Sequence, residues 1–388
     1  MMPRSLVLVF ALLLHVGTAA AQSNVVAPPS SGNRLIRLAR QMESDLVGKS
    51  ERLPQYIEFF RSQLANDTRL FAFDVTASQA ESGKVNLEGY VEFPQTRTGL
   101  VGFLTALGFE VSDEKVETLP SASLGKKAFG LVKATHTLCY DQPEKPREVM
   151  TDCLMGEPLF LLREEGDCLL VHSGEGYLGY VAAADVQRVD AQAFAEYPTE
   201  NAVQLTSDYT LQDGLVLPLG AILKRLPSQK GSVSVALPGG KTVELPPGSC
   251  QPSRPTPGAI EKAVTSGQQL LGTPYHWGGK TSLGVDCSGL VQVSFATSGV
   301  QLPRDANQQF LLGQLVATRW YRDGLRRGDT LYFLGEYGRI RHTAIYLGDD
   351  RFLHAVMPKV TIGSFNPEHE DYDPKRTASF AFGKRLWP

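Results

Sequence analysis

With 388 residues, an apolar fraction of 42% and a formal net charge of −3, the chain has the composition of a soluble globular protein and the length of two to four domains. There is no basic excess, so no nucleic-acid partner is expected.

Arg4, the apolar run Leu6 to Leu14 and Ala19-Ala20-Ala21 before Gln22 have the three parts of a secretory signal, so residues 1–21 are expected to be a signal peptide. The run is too short to remain as a membrane helix, and no later stretch approaches the roughly eighteen apolar residues one needs. No cysteine follows the cleavage site. The expectation is an exported protein, periplasmic or extracellular, without a transmembrane or lipid anchor. Export permits disulfides. If Cys287 is a working thiol, Cys139, Cys153, Cys168 and Cys250 remain, and a bridge within 139–168 is expected.

Residues 22–66 read as a leader followed by a helical hairpin. Leu35, Leu38, Ala39, Met42 and Leu46 recur at helical spacing, then Tyr56, Ile57, Phe60 and Leu64 after Pro54. Residues 67–125 read as strand, strand, helix, strand, with Val85, Leu87, Val91 and Phe93 on one alternating face. This N-terminal α+β pattern resembles small BON-like envelope modules.

From 126 to 190 short strands are separated by turns at Glu165-Gly166-Asp167 and near Gly176. Gly156-Glu157-Pro158 and Gly176-Tyr177-Leu178-Gly179-Tyr180-Val181 make this segment resemble a bacterial SH3-like barrel. A looser copy is expected over 200–250, with Gly239-Gly240 as a hairpin turn. Five prolines between Pro246 and Pro257 predict that sheet and helix stop there, so 251–258 is read as a stiff linker and the clearest boundary.

The last domain, 259–388, carries the chemistry. Cys287 follows a glycine-rich turn and opens the apolar run Leu290 to Ala296, which ends at Gly299 as a short buried helix would. A first-turn cysteine meets unpaired N–H groups and the positive end of the helix dipole, which favour a thiolate. Period-two alternation places His342, Ala344 and Tyr346 on one strand face and Phe352, His354 and Val356 on one face of the next. A three-residue loop at Gly348-Asp349-Asp350 sets both histidines on the same side; a two- or four-residue loop would separate them. The set then supplies nucleophile, base and orienter, and the Cys287 N–H is a candidate oxyanion donor. Zinc held by Cys287, His276, His342 and His354 is the rival, but no Cys-x-x-Cys or His-x-x-x-His pair is present. A purely structural role suits either histidine alone better than both beside a turn-presented cysteine.

Pro274-Tyr275-His276-Trp277-Gly278-Gly279, Asp286-Cys287-Ser288-Gly289-Leu290, Leu302-Pro303-Arg304, Arg327-Gly328-Asp329, His342 to Gly348 and Phe352-Leu353-His354-Ala355 together make this domain resemble the NlpC-type cell-wall peptidases. The resemblance implies a papain-like α+β catalytic domain with Cys287 as nucleophile, His342 as base and His354 as third polar residue. It implies substrate-binding roles for Tyr275, Asp286 and Ser288, the last two toward the free amine of an N-terminal L-alanine. The implied activity is a γ-D-glutamyl-L-diamino acid endopeptidase acting on peptidoglycan stem peptides, murein tri- or tetrapeptides, restricted to those with a free N-terminal L-alanine where SH3-like domains narrow the cleft. No cofactor or metal is expected. A non-catalytic cell-wall binding protein and a transacylase using the same triad are the alternatives.

Overall fold

The computed structural model describes residues 31–388 apart from 66, 80–82, 198–201, 228–231, 256–257 and 387–388. The expected signal peptide, 1–21, lies outside the described residues. Among the described residues no helix is long and apolar enough to cross a membrane.

Helical spacing of apolar residues produces Ser31–Met42 and Leu53–Ser62, with Pro54 in a first turn where its missing N–H costs no hydrogen bond. Ala39, Tyr56 and Phe60 share one core with Val85 and Leu87 of a three-stranded sheet and Phe103 of the helix Pro94–Ala106. In that sheet Phe73–Gln79 runs antiparallel to Val85–Val91, which pairs in parallel with Val111–Thr118. The expected alternating face holds only to Val91. Phe93 leaves the strand to become the N-cap of the helix and is exposed.

This N-terminal unit leans on a seven-stranded sheet whose members include Pro158–Glu165, Cys168–Ser173 and Leu178–Ala182. Ala72 and Leu119 pack with Leu162 and Leu170 across the junction. Tyr90 meets the Tyr180 hydroxyl at 3.1 Å, and His172 meets Glu92 at 3.0 Å. A five-stranded sheet follows, in which Val233–Ala236 and Thr242–Leu245 form a hairpin whose turn carries Gly239 and Gly240, both at positive φ. The proline-rich segment departs from its expected role as a linker from residue 251. Cys250–Pro252 pairs with Ala202–Leu205 as the last strand of this sheet. A proline is tolerated there because an edge strand has one row of N–H groups without a ladder partner.

The expected disulfide is also corrected, since all five cysteines are free. Cys139 faces Thr151 and Cys153 faces Thr137, so the two thiols are diagonal rather than opposed. That offset is roughly 7–8 Å, beyond ordinary disulfide reach. Both are packed into the core of the seven-stranded sheet as apolar groups.

The last domain has a six-stranded sheet in the order Gln314–Thr318, Phe380–Arg385, Thr330–Leu334, Ile340–Gly348, Arg351–Val356, Lys359–Ser364. The helices Ala259–Gln268 and Cys287–Ala296 lie against it. Its core is shared, because Leu154 of the seven-stranded sheet and Leu219 from the five-stranded unit pack with Val291, Val293 and Leu353.

Candidate active site

Asp286, in extended conformation, caps the Cys287–Ala296 helix by accepting the Gly289 N–H at 2.7 Å. Cys287 is therefore the first helical residue, as its sequence position predicts. Gly289 is required by closeness: a Cβ there would stand 2.2 Å from the Gly279 carbonyl oxygen, which itself accepts the Asp286 N–H at 3.2 Å.

The histidines arrive on the Ile340–Gly348 and Arg351–Val356 hairpin. Ile345 faces Leu353 and Tyr346 faces Phe352, yet Gly348 faces Arg351, so Leu347 is bulged out of register. The loop proper is two residues, Asp349 and Asp350, with φ of 52° and 59°, a form that two-residue hairpins favour. A loop of that length alone would have parted the histidines. The bulge supplies the missing residue and returns them to one face, where His342 Nε2 and His354 Nδ1 are 3.0 Å apart. Both rings are buried among Phe333 and Phe352.

The Cys287–Ala296 helix packs on this strand, which brings the Thr343 backbone N–H toward the Cys287 sulfur. Burial nevertheless pushes the Cys287 thiol up to about 11, the Asp286 charge adds to the rise, and the Thr343 and Ser288 N–H groups only partly oppose it. Burial, then the charges of Arg376 and His354, hold His342 well below the ordinary histidine range. Burial, with Arg376 behind it, takes His354 down to about 4. All three shifts run toward the neutral forms, against the thiolate that a helix start favours. Alkylation of Cys287 by iodoacetamide, followed on its peptide by mass spectrometry, is expected to rise about tenfold per pH unit between pH 7 and 10. A plateau already reached below pH 7 would show a preformed ion pair instead.

Arg304, quoted above within a motif but given no role there, is the largest fully buried side chain of the described residues. Its Nη1 and Nη2 donate to the two Asp286 oxygens at 3.0 and 2.6 Å, and Nη1 also meets the Ser288 hydroxyl at 2.8 Å. Asp286 additionally accepts the Gly278 N–H at 2.9 Å and the Ser288 hydroxyl at 3.3 Å. Its acceptor capacity is therefore used within the protein. The expected amine-binding role of Asp286 and Ser288 meets a resident cation in that place.

A cavity of about 700 Å³ opens over Cys287, Asp286 and Ser288. Tyr275, His342 and His354 are not part of its lining. Tyr275 is half-buried beside it, its phenol raised by burial and by the nearby charges of Cys287 and Asp286. The walls come from three units, Arg69 from the N-terminal unit, Val149 from the seven-stranded sheet and Asp305 and Arg341 from the last domain. Gly278 is a second enforced glycine, with φ of 81° and space for a Cβ only 2.2 Å from Val149. The wall is pinned by Lys280, which is 2% exposed and reaches Glu157 at 3.0 Å and also Glu175, while its N–H meets Asp152 at 3.2 Å. Lys280 and the pairing of the wall residues Arg69 and Asp305 carried no sequence signal of their own, because those contacts join residues more than a hundred positions apart.

Residues 272–378 match the NlpC/P60 family. The chain is 29% identical over 261 residues to Dipeptidyl-peptidase 6 of Lysinibacillus sphaericus, spanning 60% of this chain and 90% of the relative. It is 28% identical over 228 residues to the Gamma-D-glutamyl-L-lysine dipeptidyl-peptidase of Bacillus cereus, spanning 53% of this chain and 66% of that one. The crystal structure of an NlpC/P60 family protein from Bacillus cereus shares the fold with a TM-score of 0.58 at 21% identity, over 67% of this chain and 100% of that chain.

Proposed function

From the premise that the C-terminal part of this chain is an NlpC/P60 cysteine peptidase domain, we propose that the protein is exported to the cell envelope and hydrolyses the γ-D-glutamyl bond to the diamino acid of peptidoglycan stem peptides. The observation that carries this reading is the 3.0 Å His342–His354 contact on the strand against which the Cys287–Ala296 helix packs. When His342 Nε2–H donates to His354 Nδ1, His342 Nδ1 is left unprotonated. It takes the Cys287 proton as sulfur attacks the γ-carbonyl carbon, and His354 holds the ring in that tautomer. The Cys287 N–H at the helix start faces the developing oxyanion. Collapse of the tetrahedral intermediate breaks the C–N bond, His342 returns the proton to the leaving amine, and a thioester remains. Water, deprotonated by His342, then releases the glutamyl acid.

We read the seven- and five-stranded sheets as the two SH3-like units expected over 126–190 and 200–250, the first forming one side of the cleft. Mass spectrometry of defined stem peptides with free and acylated N-termini tests the reading. A new amine terminus on the diamino acid, paired with a free γ-carboxyl on D-glutamate, is the expected product. Cleavage elsewhere, or none with either peptide, would refute it.

A further inference from the structure

Three carboxylates line the cavity, Glu148, Asp286 and Asp305, and the last two flank Arg304 in its wall. Asp286 is neutralised by Arg304, as described. Asp305 follows Arg304 in the chain and is 30% exposed on its side chain. Its Oδ2 accepts from the Tyr177 hydroxyl at 2.7 Å and from Arg69 Nη2 at 2.9 Å, and its side chain also accepts the Gln308 backbone N–H in a capping box. The guanidinium on Asp305 thus comes from a unit more than two hundred residues upstream.

Arg69 is held there rather than resting there. It lies on the short turn Thr68–Leu70 capped by Asp67. Asp67 clamps it in two places, Nε at 2.8 Å and Nη2 at 2.6 Å, and its Cζ stands 4.9 Å over the Tyr177 ring. Two carboxylates and one ring face fix one planar side chain, the situation in which arginine loses least entropy for each bond made. Arg339 and Arg341 also line the cavity and contribute two further cations.

The geometry points to Arg69 as a specificity-determining residue that reserves the Asp305 end of the cleft for a peptide terminus without positive charge, so that N-acylated stem peptides bind better than those with a free amine. This rests on the stem-peptide reading above. An incoming ammonium finds Asp305 Oδ2 already occupied and a guanidinium directly beside it, and like charges at such distances disfavour binding. A carbonyl or acyl terminus can accept an N–H from Arg69 and meets no such opposition.

The test is calorimetric, on Cys287→Ala protein so that ligands stay intact, using L-Ala-γ-D-Glu-diaminopimelate with a free or an acetylated amine. The acetylated peptide is expected to bind several-fold more tightly. Adding Arg69→Ala is expected to shift the ratio of the two dissociation constants by at least tenfold toward the free amine. Arg69→Gln, which stays polar but carries no charge, is expected to shift it in the same sense and separates loss of charge from truncation of the turn. Arg69→Lys, which keeps the charge, is expected to shift it least. Binding of both peptides with the same ratio in all four proteins would overturn the role of Arg69 alone. No binding of either peptide to any of them would overturn the stem-peptide reading and this inference together.

Discussion

Cys287→Ala is expected to lower the rate of γ-D-glutamyl hydrolysis by at least about a thousandfold while leaving the fold in place. The substitution removes one sulfur from a residue 9% exposed, and its neighbours stay bonded without it: Asp286 still caps the helix, and His342 still meets His354. The stability cost should stay near 1 kcal/mol. Because the three groups act in one proton transfer, His342→Ala should cost about as much, and the double variant no more than either single one. Steady-state rates on a defined stem peptide, with thermal unfolding as the fold control, decide the matter. Substantial activity in Cys287→Ala would remove the nucleophile from the mechanism.

Arg304→Met is expected to be the most destabilising substitution in the last domain, by about 3–5 kcal/mol at pH 7. It leaves the Asp286 carboxylate, 5% exposed, without its cation in the turn that presents the nucleophile. The pH dependence gives the sign. In the native protein burial would raise the Asp286 carboxyl, but the charge and hydrogen bonds of Arg304 outweigh it and hold the group below its ordinary value. That contribution is present above the ordinary aspartate range and is lost as pH falls through the lowered value. In the variant burial acts alone, so the carboxyl is raised and the penalty grows as pH rises. Denaturant unfolding at pH 5 and pH 7 should therefore show a larger gap between the two proteins at pH 7. A gap under 1 kcal/mol at both would show that the pair is dispensable, and Asp286→Asn added to Arg304→Met should recover part of the loss.

Local pattern carried much of the architecture. Apolar spacing located the helix behind Cys287, and alternation found the two histidine strands. Parity was the weak point, because a bulge at Leu347 obeys packing across the sheet rather than anything written in Gly348-Asp349-Asp350. Pro252 misled in the opposite direction: as a local breaker it predicted a linker, and only the edge position of its strand makes it harmless. The cysteines were counted correctly, but their pairing was decided by a two-residue register offset. Arg304 was visible as part of a motif, yet its function depends on meeting Asp286 from eighteen residues away in the core. Arg69 was out of reach altogether, since its meaning lies in a partner from another unit.

The shared core and the buried Lys280 limit how this enzyme can be dissected or recombined. Leu154, Leu219, Glu157 and Glu175 belong by sequence to the upstream units, but by contact they complete the peptidase. A catalytic domain cut at the Pro-rich segment would carry an apolar scar where those leucines sat and a lysine stripped of both counterions. Grafting it onto a foreign module would require transplanting the docking face with it. The heritable unit of function here is larger than the domain that holds the cysteine.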